Sequence, residues 1–171
     1  MYIYDIVALV FVGISHVIFY IQLIRYTRLS TVLVMALSIV FTILLGIVVT
    51  VTGYPELNAI MLLFLMCIGL MKEKLSFTEN FYFALVSTVV ITLVKLVLIE
   101  AGMALFMLSP LNLYLWTGSV IHLIVMSIIL ASIMLFRKSI RRIAGAIVGS
   151  PLYYISYGLL IVGFTVVIIL T

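Results

Sequence analysis

Two charged side chains, Lys95 and Glu100, stand inside an otherwise apolar run from Phe81 to Phe106. A charge at mid-bilayer costs about 2.5 to 3.5 kcal/mol on insertion scales, so each calls for a polar partner, a ligand or access to water. Their five-residue spacing turns them about 140° apart on a helix, which favours partners on neighbouring helices over a direct pair. The plainer alternative leaves Glu100 at a membrane interface and lets Lys95 snorkel. His16 and His122 fall in two further apolar segments, where an imidazole can bind metal, sense pH or hydrogen-bond between helices. No other ligand-type residue stands at metal spacing, so a hydrogen bond is the expected use and no metal or cofactor is expected. Ser15, Tyr20, Gln22 and Thr42 have the same expected use as polar contacts between helices. Cys67 is the single cysteine and lies in an apolar run, which excludes a disulfide framework and predicts a packing role. Nucleophile and base pairs, paired carboxylates, HExxH strings and phosphate-cradling glycine loops are missing from the sequence, so the chain is not expected to be an enzyme.

These residues must be held by an unusually apolar chain. It has 171 residues, 67% of them hydrophobic and 8% charged, and its mean hydropathy is +1.51. That composition lies outside the soluble globular class and predicts an integral membrane protein surrounded by lipid. The isoelectric point near 9.3 does not indicate nucleic-acid binding, because the positive charge is gathered beside apolar segments. A cleavable signal peptide is not expected, since the first apolar segment lacks a basic leader and is long enough to cross a bilayer.

About 20 apolar residues cross a bilayer as a helix, and about six segments approach that length. They run Ile3 to Ile24, Thr31 to Thr52, Leu57 to Met71, Phe81 to Phe106, Leu113 to Phe136 and Leu152 to Leu170. Continuous apolarity without ten-residue alternation predicts helices rather than a barrel. The expected fold is therefore all-α, a polytopic transmembrane helical bundle forming one domain over residues 1–171. Apart from Lys95, every lysine and arginine lies in alternate connections: Arg25 and Arg28, then Lys72 and Lys74, then Arg137, Lys138, Arg141 and Arg142. Basic connections face the cytoplasm, so the N-terminus is expected outside. Six crossings would return the C-terminus outside too, and the abrupt end at Thr171 suggests a chain cut before a further crossing.

On that topology the outer side carries Asp5, Glu56 and Glu100 but no lysine or arginine. An outside ligand steered by charge would be cationic, whereas a solubilising role for the acids is the plainer alternative. Tyr54, Tyr114 and Trp116 lie on the same side, and Tyr26, Tyr82, Tyr153 and Tyr154 on the other. Amphipathic rings at these places anchor a protein at the two interfaces. The candidate ligand-binding set is Asp5, Tyr54, Glu56, Lys95, Glu100, Tyr114, Trp116 and His122.

Three stretches also resemble a known family: GISHVIFYIQLIRYTRLS from Gly13, MKEKLSFTENFYFAL from Met71 and IMLFRKSIRRI from Ile133. They look like the first helix with its basic turn, a basic turn before an aromatic helix start, and a basic loop before the sixth helix. That order is similar to the sensor domains of peptide-pheromone receptor histidine kinases of the accessory-gene-regulator and competence-peptide type. The resemblance implies binding of an extracellular peptide, relay through a further helix to a cytoplasmic kinase of a two-component system, a homodimer, and a bacterial cytoplasmic membrane location. The chain departs from the family in lacking the phosphoacceptor and ATP-binding regions. The alternative is the substrate-capturing subunit of a vitamin-type uptake system, which is similar in size and apolarity. Such subunits dock through small residues four apart on the first helix and keep the N-terminus inside; here Ala8 and Gly13 are five apart.

The predicted topology is checked by cysteine substitution in whole cells. Arg28→Cys, Lys74→Cys and Arg141→Cys are expected to resist a membrane-impermeant maleimide until the cells are permeabilised, whereas Glu56→Cys labels directly. Labelling of the first three in intact cells would reverse the assignment of sides.

Overall fold

The computed structural model describes residues 3–24, 31–52, 57–70, 75–107, 117–148 and 150–170. Among the described residues the chain is all-α, with seven helices and no strand. They are α1 (Ile3–Ile24), α2 (Thr31–Thr52), α3 (Leu57–Leu70), α4 (Phe77–Met107), α5 (Thr117–Leu135), α6 (Arg137–Ile147) and α7 (Pro151–Leu170).

The long helices follow the apolar segments, and α1 and α2 have the bounds predicted for them. α4 starts four residues before the predicted Phe81. The reason is a capping box. The Ser76 hydroxyl accepts the Glu79 amide at 3.2 Å, and the Glu79 carboxylate accepts the Ser76 amide at 3.1 Å. α7 opens on Pro151, which suits a first helical position because its missing N–H is one that a helix start leaves unused.

A correction concerns the third basic connection. Arg137 to Ile147 is a helix rather than a loop, bent by 69° from α5. The turn is made at Phe136, whose φ of −92° and ψ of 12° lie between the helical and extended regions. Ile140, Ala144 and Ile147 recur on one face and pack toward the core, while Arg137, Lys138, Arg141 and Arg142 are exposed.

Within α4, Phe77–Ala104 is long and apolar enough to cross a membrane, and α5 with α6 would form a second span only if the bent pair is counted as one. α1 packs on α2, α4 and α5, and α4 on α1, α3, α5 and α7. Contacts fix their directions. Tyr20 near the end of α1 meets Asn80 at the start of α4, so α1 and α4 run antiparallel. Tyr82 meets Ser156 and Gly163 lies against Val89, so α4 and α7 run parallel at a nearly constant offset. The ends of α1 and α3, the starts of α4 and α7, and all of α6 thus gather at one end of the bundle. The third basic cluster lies there on α6, and the first two follow α1 and α3 in the sequence but fall outside the described residues.

Close packing there depends on a small residue. A Cβ at Gly69 would collide with the Tyr20 hydroxyl and the Asn80 side chain, whereas nothing lies within 4 Å of one at Gly158. Gly69→Ala is expected to lower stability by about 1–3 kcal/mol. Gly158→Ala is expected to raise it by about 0.5–1 kcal/mol, because glycine is a poor mid-helix residue. Thermal unfolding of the two variants in detergent separates these outcomes.

Candidate functional site

Polar side chains line the contact between α1 and α4. Ser15, His16, Tyr20 and Gln22 on α1 are buried, as are Asn80, Ser87, Thr88 and Thr92 on α4. On each helix they fall within one sector of about 160° or less at 3.6 residues per turn. Several first satisfy themselves within their own helix. Ser15 donates to the Phe11 carbonyl at 2.8 Å, and Thr88 to the Ala84 carbonyl at 2.9 Å. His16 Nδ1 lies 2.8 Å from the Val12 carbonyl and donates to it.

Bonds between the helices complete the seam. The Ser87 hydroxyl donates to the His16 carbonyl at 2.8 Å. With Nδ1 carrying the proton, Nε2 of the neutral ring is an acceptor, and the Thr92 hydroxyl lies 3.5 Å from it. One turn further along the same face of α4 comes Lys95. Toward the basic end, the Tyr20 hydroxyl donates to Asn80 Oδ1, and Asn80 Nδ2 donates to the Met66 carbonyl of α3 at 2.9 Å. At that end Arg141 Nε donates to Gln22 Oε1 at 2.8 Å, which ties α6 to α1.

Beside this seam lies an aromatic group between α4 and α7. Tyr82 is 3% exposed, so it is a core residue and not an interfacial anchor. Its ring lies 4.6 Å from Tyr153 and 5.7 Å from Tyr157, and its hydroxyl is 2.9 Å from the Ser156 hydroxyl. Tyr154 is exposed.

The predicted candidate residues divide. Lys95 is half-buried on α4, and Glu100 is exposed on the same helix; among the described residues the two form no ion pair. His122 is half-buried on α5. Asp5 lies in the first turns of α1, but the placement of its side chain, like Tyr54, Glu56, Tyr114 and Trp116, falls outside the described residues. Cys67 is exposed on α3, which corrects the expected packing role. Among the described residues no three histidine, cysteine or acidic side chains converge.

Sequence reasoning missed Asn80, Ser87, Thr88 and Thr92. The signal was present as a polar stripe on one face of α4 leading to Lys95, because Asn80, Ser87, Thr88, Thr92 and Lys95 fall within about 140° of the helix circumference. The Gln22 to Arg141 contact left no such local trace.

No protein-family model, characterised protein or solved structure is significantly similar to the chain.

The α1 to α6 link has a measurable consequence. Gln22→Leu removes the acceptor of a charged hydrogen bond, with an expected cost of about 1.5–3 kcal/mol. Tryptic cleavage at Arg141 and Arg142 is expected to accelerate by about tenfold or more if undocking of α6 limits it. Gln22→Glu, which keeps an acceptor, should leave cleavage slow. Equal cleavage in all three proteins would mean that the contact does not hold α6.

Proposed function

We propose that this chain is the membrane-embedded sensor region of a receptor that binds an extracellular peptide and passes the signal to a histidine kinase domain in a two-component system. The membrane part rests on an inversion of the usual soluble pattern. Serine, threonine, histidine, asparagine and glutamine side chains are buried, while large aliphatic residues face outward. Leu44 on α2, Leu63 on α3, Ile124 on α5 and Leu159 on α7 are between 54% and 69% exposed. In water such a surface would drive association, but in lipid it carries no penalty, and polar contacts become the specific link between helices. α1 and α2 have 22 residues each, enough for a span at about 1.5 Å per residue. This supports a six-crossing bundle in a bacterial cytoplasmic membrane with the basic end inside and the N-terminus outside.

The observation that carries the sensor reading is the polar seam and its route to the basic end. From His16 and Thr92, one turn from Lys95, it passes through Tyr20 and Asn80 to Gln22, Arg141 and α6, which precedes α7. A ligand that favours one arrangement of α1 against α4 would thereby bias the inner helices. Exposed Glu100 stands toward the other end of α4; the proposed topology assigns Asp5 and Glu56 to that side as well, which would favour a cationic peptide. A small-solute carrier is the second reading. It is less well supported, because the described interior is filled by Tyr20, Leu65, Leu85 and Met126, each under 2% exposed.

The test uses the full-length receptor with a transcriptional reporter. Glu100→Gln and Lys95→Met are expected to shift the half-maximal peptide concentration by at least about tenfold, equivalent to about 1.4 kcal/mol. An unchanged response in both would remove these residues from the mechanism. Tight binding of a radiolabelled vitamin by the purified protein would favour the carrier.

A further inference from the structure

From the arrangement at the α5 to α6 bend we infer a binding site for an anionic phospholipid, its acyl chain lying between α4 and α5 and its headgroup against the start of α6. The site depends on the membrane-embedded reading and not on peptide sensing. A groove of about 220 Å³ runs along α4 and α5, lined by Val94, Leu98, Ile128, Ser132, Phe136 and Ile140 among others. A second apolar groove of about 160 Å³ continues beneath α6, past Leu23, Phe83 and Ala144. Phe19 and Ile140 line both, so the two form one apolar path.

Charge identifies the occupant. The first groove reaches Phe136, where the chain bends by 69° and Arg137 and Lys138 begin α6. α6 carries four cations and no acid. Arg137 follows Phe136 and stands one helical turn before Ile140, and both of those residues line the groove. An apolar slot ending in exposed cations matches a molecule with a hydrocarbon tail and an anionic head, and arginine suits a phosphate oxygen pair particularly well. A lipid held there would brace the bend between α5 and α6, and through Arg141 its effect would extend to Gln22 on α1.

The full chain is reconstituted in vesicles of equal parts phosphatidylcholine and phosphatidylglycerol, then extracted in mild detergent, and the co-purifying lipid is measured by mass spectrometry. Phosphatidylglycerol is expected to be enriched at least about tenfold over phosphatidylcholine. Arg137→Gln combined with Lys138→Gln should abolish the enrichment. Ser132→Phe should also abolish it by filling the groove from its exposed lip, and Val94→Phe supplies an independent filling at another exposed position. Soluble glycerol phosphate, which has the head without the tail, should not displace the lipid. Enrichment that survives the charge variant or both groove variants overturns the site, as does displacement by glycerol phosphate. Failure of the wild-type chain to integrate into vesicles would instead count against the membrane reading itself.

Discussion

Hydrogen-bond satisfaction in a waterless interior is the constraint on which this structure turns. A polar group without a partner in an apolar medium is expensive, and the chain buries many hydroxyls together with an imidazole and two amides. Among the described residues no buried side-chain nitrogen or oxygen lacks a partner. The solution has two layers. Serine and threonine return their hydrogens to the carbonyl one turn earlier, as Thr42 does to Ser38 at 2.6 Å. The acceptors and donors that remain are then matched between helices, and those matches specify which faces of α1, α3, α4 and α6 meet. In the lipid setting proposed for this chain, apolar packing alone would specify them less sharply, because the surroundings are as apolar as the core.

Small residues allow these matches to form. Gly13 admits Thr42 to the surface of α1, and Gly69 admits the Tyr20 and Asn80 pair to α3. Stacking of Phe41 on Phe64, with ring centroids 3.9 Å apart, then holds α2 against α3. At the basic end, named contacts thus join four helices and the amphipathic α6. At the other end the charged candidate Glu100 is exposed, and it makes no comparable contact.

The long helices were legible because continuous apolarity is a strong signal, and the bounds of α1 and α2 coincide with the change in composition. α6 was legible in principle. Its apolar residues recur at helical spacing, but the concentration of arginine drew the reading toward a loop. The early start of α4 was encoded in Ser76 and Glu79, a local signature overshadowed by the onset of apolarity at Phe81. Partner choice was not legible. Tyr20 and Asn80 lie 60 residues apart, and Gln22 and Arg141 lie 119 apart; a single sequence carries no sign of which distant polar residues will meet. Tyr82 misled for a related reason, since an amphipathic ring suits both an interface and a core position with a hydroxyl nearby.

The distance between Gln22 and Arg141 also imposes an order on biosynthesis. At about 5–20 residues per second, 119 residues separate the emergence of the two by on the order of ten seconds. Throughout that interval α1 must persist without its last tether. Ser15 and His16, deepest in the helix, are already quenched by their own backbone. Tyr20 and Gln22 lie near the helix end and find their partners only when Asn80 and then Arg141 arrive. The residues that bond within their own helix stand mid-helix, and those that wait for distant partners stand near its end, so on the proposed membrane reading no amide is left unpaired at the middle of the lipid.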